Sequence, residues 1–262
     1  MIRIRIRKSI GKHKYAALAV TAFAVIGMVW FIIAQTGVLQ EIFLPKPVNV
    51  VKYFISAVQD GSLWENTRIS IYRIVLGFVY AVVLGIPIGI LVGSFKKLEA
   101  LIRPLCEFIR YMPVPAFVPL IMVWVGIGEN AKITVIFIGT FFQLVLMVAD
   151  DALSVPDDLI NAGYTLGSGT WKSIFKILVP AMLPRLMETL RMMIGWAWTY
   201  LVSAELVAAN TGLGYTILRS QRFMQTDAIF ANILLIGFLG LITDRLFVLL
   251  NKKLFPWAEG GR

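Results

Sequence analysis

The sequence predicts an all-α membrane protein with about six transmembrane helices and both termini in the cytosol. Three observations carry this reading. Of the 262 residues, 58% are apolar and only 15% charged, with a mean hydropathy of +0.80. Soluble domains sit nearer half apolar and a quarter charged, so lipid is the solvent for much of this surface. Several apolar runs are long enough to cross a bilayer at about 1.5 Å per residue. Basic residues gather at the ends of those runs, more on one side than on the other.

Residues 1–14, MIRIRIRKSIGKHK, form a basic tail with Arg3, Arg5, Arg7, Lys8, Lys12 and Lys14. Beside a membrane span such a tail contacts headgroups from the cytosol. The first apolar run, Tyr15 to Ala34, has no charge and reads as an uncleaved anchor, because it is too long for a signal-peptide core. A polar connection follows over 35–67, where Pro45 and Pro47 are expected to break any continuous helix. Further spans are predicted at about 69–92, 114–126, 133–149, 186–208 and 228–250. Pro113, Pro115 and Pro119 interrupt the third, and Glu129 with Lys132 marks only a short turn before the fourth. Residues 15–250 thus make one membrane domain, closed by a short cytosolic tail over 251–262. No span resembles another closely enough to define an internal repeat.

This arrangement puts sixteen Lys and Arg residues on the cytosolic side and six outside, in line with the positive-inside rule. It also accounts for the net charge of +10 without nucleic acid, since no soluble basic patch is left over. One cysteine, Cys106, excludes an intrachain disulfide and a cysteine metal cluster. His13 is the only histidine, so His-based triads and common zinc sites lack their parts.

The most informative segment lies between the fourth and fifth spans, at Asp157 to Pro184: DDLINAGYTLGSGTWKSIFKILVPAMLP. Asp157 and Asp158 after Pro156 suit a helix start. Leu159, Ala162, Gly163 and Leu166 fall at helical spacing, and Gly167 with Gly169 suits a break. A second short helix then carries Trp171, Ile174, Phe175 and Leu178 on one face and is expected to end at Pro180. Read alone, the pair is either an amphipathic hairpin on the membrane or a surface for another protein. GSGTWKS is not a phosphate loop, because Trp171 stands where a glycine must precede the lysine, and no strand leads into it.

This stretch resembles the EAA loop of bacterial ABC-transporter permeases: Glu-Ala-Ala, three residues, Gly, nine residues, then Ile-x-Leu-Pro. The matching positions are Asn161, Ala162, Gly163, Gly167, Ile177, Val179 and Pro180. Asn161 stands for Glu, Gly163 for the second Ala and Val179 for Leu, and the Asn removes a carboxylate. The likeness extends from about residue 60 to 257, and within the permeases it is similar to the nitrate, sulfonate, taurine and bicarbonate group. Ser70–Gly93, Ile109–Gly128, Ala204–Ile217, the IFANILLIGFLGLITDRLF stretch and the closing LFPW carry it.

The resemblance implies a non-enzymatic transport subunit in the bacterial cytoplasmic (inner) membrane. It implies a second permease chain as partner, in a homodimer, and two cytosolic ATPase subunits holding ATP and Mg. An extracytoplasmic substrate-binding protein would deliver the solute. The chain itself would hold no cofactor and touch only lipid and protein. The implied solute is a small anion, and importers of pyrimidine vitamin precursors and ion-driven secondary carriers remain as alternatives.

Two further sets stand out. Gly85, Gly89 and Gly93 form overlapping GxxxG units, suited to close helix packing or to a dimer interface. Charges inside spans are costly, so Arg73, Arg191 and Glu205 face protein, water or headgroups. With Trp196 and Tyr200 they are candidates for the translocation path, and for the arginines snorkelling to an interface is the alternative.

Overall fold

The computed structural model describes residues 11–257, so most of the basic tail lies outside the described residues. Eleven α-helices form, and no strand occurs among the described residues. They are α1 (Lys12–Thr36), α2 (Pro47–Gln59), α3 (Ser62–Ser94), α4 (Lys96–Arg110), α5 (Val114–Val125) and α6 (Glu129–Leu153). Then come α7 (Asp157–Thr165), α8 (Thr170–Ser173), α9 (Val179–Ala208), α10 (Leu213–Arg222) and α11 (Thr226–Leu254).

The centre is α3 packed along α6, with α9 against α6 and α11 against α9. The α3–α6 contact follows from a row of small residues at every fourth position: Gly77, Ala81, Gly85, Gly89 and Gly93. A Cβ on Gly89 would lie 2.6 Å from Val148 Cβ, one on Gly77 2.8 Å from Ile136 Cβ, and one on Gly93 2.7 Å from the Ala149 carbonyl oxygen. Bare backbone on this face lets two helices approach where lipid supplies no hydrophobic drive. The face meets α6 of the same chain, so these glycines pack within the protomer.

α1 stands at the margin of the bundle, tied by the Trp30 indole N–H, which donates to the Pro45 carbonyl at 3.0 Å, and by stacking of Trp30 on Phe230 at 5.7 Å.

Several expectations need correction. The 35–67 connection is broken as expected, but it carries a helix of its own, α2, which Pro47 starts, since a first-turn residue needs no N–H donor. The 114–126 span is the 12-residue helix α5, about 18 Å long and too short to cross alone. It pairs with α4 at a bend of 102°, where Pro113 precedes α5. α6 runs on to Leu153, past the predicted end at 149, so Asp150 and Asp151 lie on its last turn. Pro180 does not end the second loop helix, because a π-helical turn at Ile174–Leu178 absorbs the missing donor. The chain is therefore helical without interruption from Thr170 to Ala208. α1, α3, α6 and α11 are long and apolar enough to cross a membrane, and the α4–α5 pair makes up to five. α9 has 30 residues, but its charged and polar side chains keep it outside that set.

Candidate functional site

The loop between α6 and α9 is framed by a buried carboxylate. Asp151, 3% exposed at the end of α6, accepts from Thr189 Oγ1 at 2.6 Å and from Arg185 Nε at 3.0 Å, both on α9. This ties the two helices together where the loop leaves and re-enters the bundle. Within the loop, α7 closes with Gly167 in the left-handed region at φ +79°. Gly167 N–H donates to Tyr164 O and Ser168 N–H to Gly163 O, both at 2.9 Å, which satisfies the last carbonyls of α7.

The structure brings together part of the motif. Gly163 is buried beneath the Ile177 side chain, whose Cδ1 methyl would have to turn aside for a Cβ, so the two motif positions form one contact. Asn161, Ala162, Gly167 and Pro180 are exposed, while Ile177 and Val179 are half-buried. Leu166 is 87% exposed, and Trp171 and Phe175, stacked at 6.4 Å, are also open. Trp171 reaches Phe95 at the α3–α4 corner, 6.0 Å away. Beneath the loop lies a cavity of about 200 Å³ lined by Gly93, Phe95, Tyr164, Ser173, Ile174 and Leu178. The loop thus offers an apolar outer surface on a base seated against α3 and α9.

At the opposite end of the bundle a polar cluster is enclosed. Arg73 has no exposed surface, so it does not snorkel. Its Nε and Nη2 donate to Glu129 at 2.6 and 2.8 Å, and Nη1 donates to Glu205 Oε1 at 2.6 Å and to the Thr211 carbonyl at 2.7 Å. Glu205, fully buried, also receives Ser70 Oγ at 2.8 Å and Gly214 N–H at 2.8 Å. Gly212 N–H donates to Asn66 Oδ1 at 2.7 Å and Leu213 N–H to Ser70 Oγ at 3.0 Å. The first amides of α10, which no helix can satisfy internally, are thereby capped from α3 and α9. Lys132 joins Glu129 at 2.7 Å. Sequence reasoning missed Glu129, Lys132, Asn66, Ser70 and Thr211. The signal available was the spacing of Asn66, Ser70 and Arg73, which puts all three on one helix face.

The remaining predicted path residues separate. Arg191 pairs with Asp244 of α11 through Nε at 2.5 Å and Nη2 at 3.0 Å. Arg73 and Arg191 are thus both matched by carboxylates. Tyr200 turns inward, its ring against Gly139, where a Cβ would lie 2.7 Å from Tyr200 Cγ. Trp196 is 53% exposed, stacked on Tyr200 at 6.3 Å, and lines an open depression on α9 with Met192, Gly195 and Thr199. Trp198 points the other way and donates to Thr243 Oγ1 of α11 at 3.2 Å.

Residues 85–256 match the family described as the binding-protein-dependent transport system inner membrane component. The chain belongs to that family. It is 34% identical over 255 residues to the putative aliphatic sulfonates transport permease protein SsuC of Bacillus subtilis, covering 97% of this chain and 92% of that protein. It is 30% identical over 249 residues to the taurine transport system permease protein TauC of Escherichia coli, covering 93% and 90%. The bicarbonate transport system permease protein CmpB of Synechocystis is 29% identical over 248 residues, covering 89% and 88%. In fold the chain is similar to the inward-facing MetNI methionine ABC transporter, with a TM-score of 0.66 at 20% identity over 73% of this chain and 96% of that one. It is also similar to a bacterial alginate ABC transporter solved with a pentasaccharide-bound periplasmic protein, with a TM-score of 0.58 at 12% identity over 93% of this chain and 96% of that one. The protein is therefore a multi-pass inner-membrane permease subunit of an ABC importer.

Proposed function

We propose that this permease forms, as a homodimer, the path for a small anion of the sulfonate, taurine or bicarbonate kind. A solute-binding protein delivers the solute outside, and two ATPase subunits carrying ATP and Mg dock on the loop of α7 and α8 in the cytosol. Six crossings, the α4–α5 pair counting as one and α9 added to the five apolar spans in spite of its charges, put both termini in the cytosol. The single observation that carries the solute class is the extent of the likeness to SsuC, TauC and CmpB along nearly the whole chain.

The loop supports the coupling role by its build. Its apolar outer residues, Leu166, Trp171 and Phe175, suit a protein partner, and its base is anchored to two helices by Asp151. The open face of α9 with Trp196 and Thr199 supports a solute path between the two copies. Arg73 and Arg191 are engaged by carboxylates, so the anion crosses without a free arginine from either position.

The test is reconstitution of the permease with its ATPase and binding-protein partners in liposomes, followed by uptake of labelled taurine, an alkanesulfonate, bicarbonate and a pyrimidine. ATP-dependent uptake of one of the anions is expected. Uptake of the pyrimidine alone would move the solute class, and uptake driven by an ion gradient without any ATPase subunit would replace the importer reading with a secondary carrier.

A further inference from the structure

The strongest unassigned feature is the enclosed cluster around Arg73 together with a groove beside it. The groove measures about 480 Å³ and lies between the α2–α3 corner and α10, with Asp60, Glu65, Asn66, Thr211, Tyr215 and Arg219 on its walls. Two of these wall residues also belong to the cluster. Asn66 holds Gly212 N–H, and the Thr211 carbonyl accepts from Arg73. Whatever presses on the groove is one hydrogen bond away from Arg73 and two from Glu205.

We infer that Glu205, held by Arg73 and Ser70 and capping α10, is a positioning residue that transmits docking in this groove to α9 and so to the coupling loop. The inference rests on the importer reading above. Its occupant is the solute-carrying protein on which the family depends. Asp60, Glu65 and Arg219 line the same groove, and walls of both signs suit a folded protein surface bearing both signs of charge better than a ligand of one sign.

The link has little slack at either end. Gly212 sits at φ +122° with the Glu205 carboxylate where a side chain would go, and a Cβ on Gly214 would lie 3.0 Å from Glu205 Cβ. The loop at 210–212 therefore cannot shift without moving Glu205 or breaking its bonds. Glu205 stands on α9, whose helical path runs back unbroken to Thr170 in the loop. From Pro180 to Glu205 that rod is roughly 38 Å long at 1.5 Å per residue. A packed helix moves as a body rather than by continuous deformation, so a displacement at one end reaches the other.

The test uses the full complex in lipid nanodiscs and reads the ATPase rate with and without the solute-loaded binding protein. The variants are Glu205→Gln, which keeps the shape and removes the charge, and Ser70→Ala, which removes the hydroxyl shared by Glu205 and Leu213 N–H. Both are expected to keep the basal rate while the stimulation by the binding protein falls at least about fivefold, the low end of ordinary coupling between sites. Binding of the binding protein, measured separately, stays unchanged. A purely structural role would lower the yield of complex and the basal rate together and leave the stimulation ratio as in the wild type, which overturns the link. If Glu205→Gln fails to assemble, full stimulation in Ser70→Ala overturns it equally. A wild-type complex that neither hydrolyses ATP nor responds to the binding protein would overturn the importer reading instead.

Discussion

Arg73 and Glu129 meet at two points, Nε to Oε2 at 2.6 Å and Nη2 to Oε1 at 2.8 Å, across 56 residues of sequence. The guanidinium is wholly buried while the carboxylate stays 41% exposed, so the pair sits just under the surface of the bundle. The planar fork of arginine matches a carboxylate in a way that an ammonium cannot.

Replacing Arg73 therefore strands Glu205 in the interior. Arg73→Ala is expected to cost about 3–5 kcal/mol, the usual range for removing one partner of a buried pair. Arg73→Lys should also be destabilised, because one point charge cannot reach Glu129, Glu205 and the Thr211 carbonyl together. Thermal unfolding of the purified protein in detergent checks this, and an Arg73→Lys protein melting at the wild-type temperature would show that the fork geometry is not needed.

The glycine row on α3 makes a second, separable prediction. A methyl group at Gly89 would press on Val148 Cβ at 2.6 Å and the Val145 carbonyl oxygen at 2.8 Å, both near backbone. Gly89→Ala should destabilise by about 1–3 kcal/mol, as overpacking does. Gly195→Ala on α9 is the control, since nothing lies within 4 Å of its Cβ position. The same melting assay compares the two, and equal midpoints would show that α3 and α6 yield without cost.

The coupling loop gives a prediction on transport rather than stability. Gly167 has open space around it, so a large side chain fits, at roughly 1–2 kcal/mol for the left-handed backbone. Gly167→Trp should insert into the membrane and fold, yet lose ATP-driven uptake by tenfold or more if, as proposed, the ATPase docks on this surface. Copurification of the ATPase subunit and uptake are measured together. Wild-type uptake with the ATPase bound would sink the role given to this loop.

The bilayer leaves some features legible in the sequence and hides others. Apolar runs show α1, α3, α6 and α11 because lipid demands the same composition around the whole helix. The break at Gly167 is visible because only glycine accepts that backbone readily. The chain's continuation past Pro180 is not visible: proline normally interrupts a helix, and only a π turn built from ordinary residues, Ile174 to Leu178, lets it pass. The two-point contact of Arg73 with Glu129 is equally hidden. Each residue looks costly alone, and the partner that relieves the cost lies on another helix, so a single span shows only that Arg73 must face protein, water or headgroups. Asp151 shows the same limit, because its value comes from Arg185 and Thr189 across the loop.

The neighbouring tryptophans of α9 separate stability from passage. Trp198 is 5% exposed and bonded to Thr243, whereas Trp196 is 53% exposed on the open face with Thr199. Two positions apart on one helix, they point about 200° away from each other, so one faces α11 and the other the depression. Trp198→Ala should lose about 3–5 kcal/mol, as large-to-small changes in a packed interior do, and transport should fall only with the amount of folded protein. Trp196→Ala removes an aromatic face that stacks on Tyr200 but packs on little else, so its melting point should stay near that of the wild type. Its effect should fall on uptake, as a changed KM or rate for the solute at equal protein in the membrane. Melting curves and uptake for both variants decide the matter. If Trp196→Ala melts normally and carries solute with wild-type KM and rate, the path does not run along this face of α9.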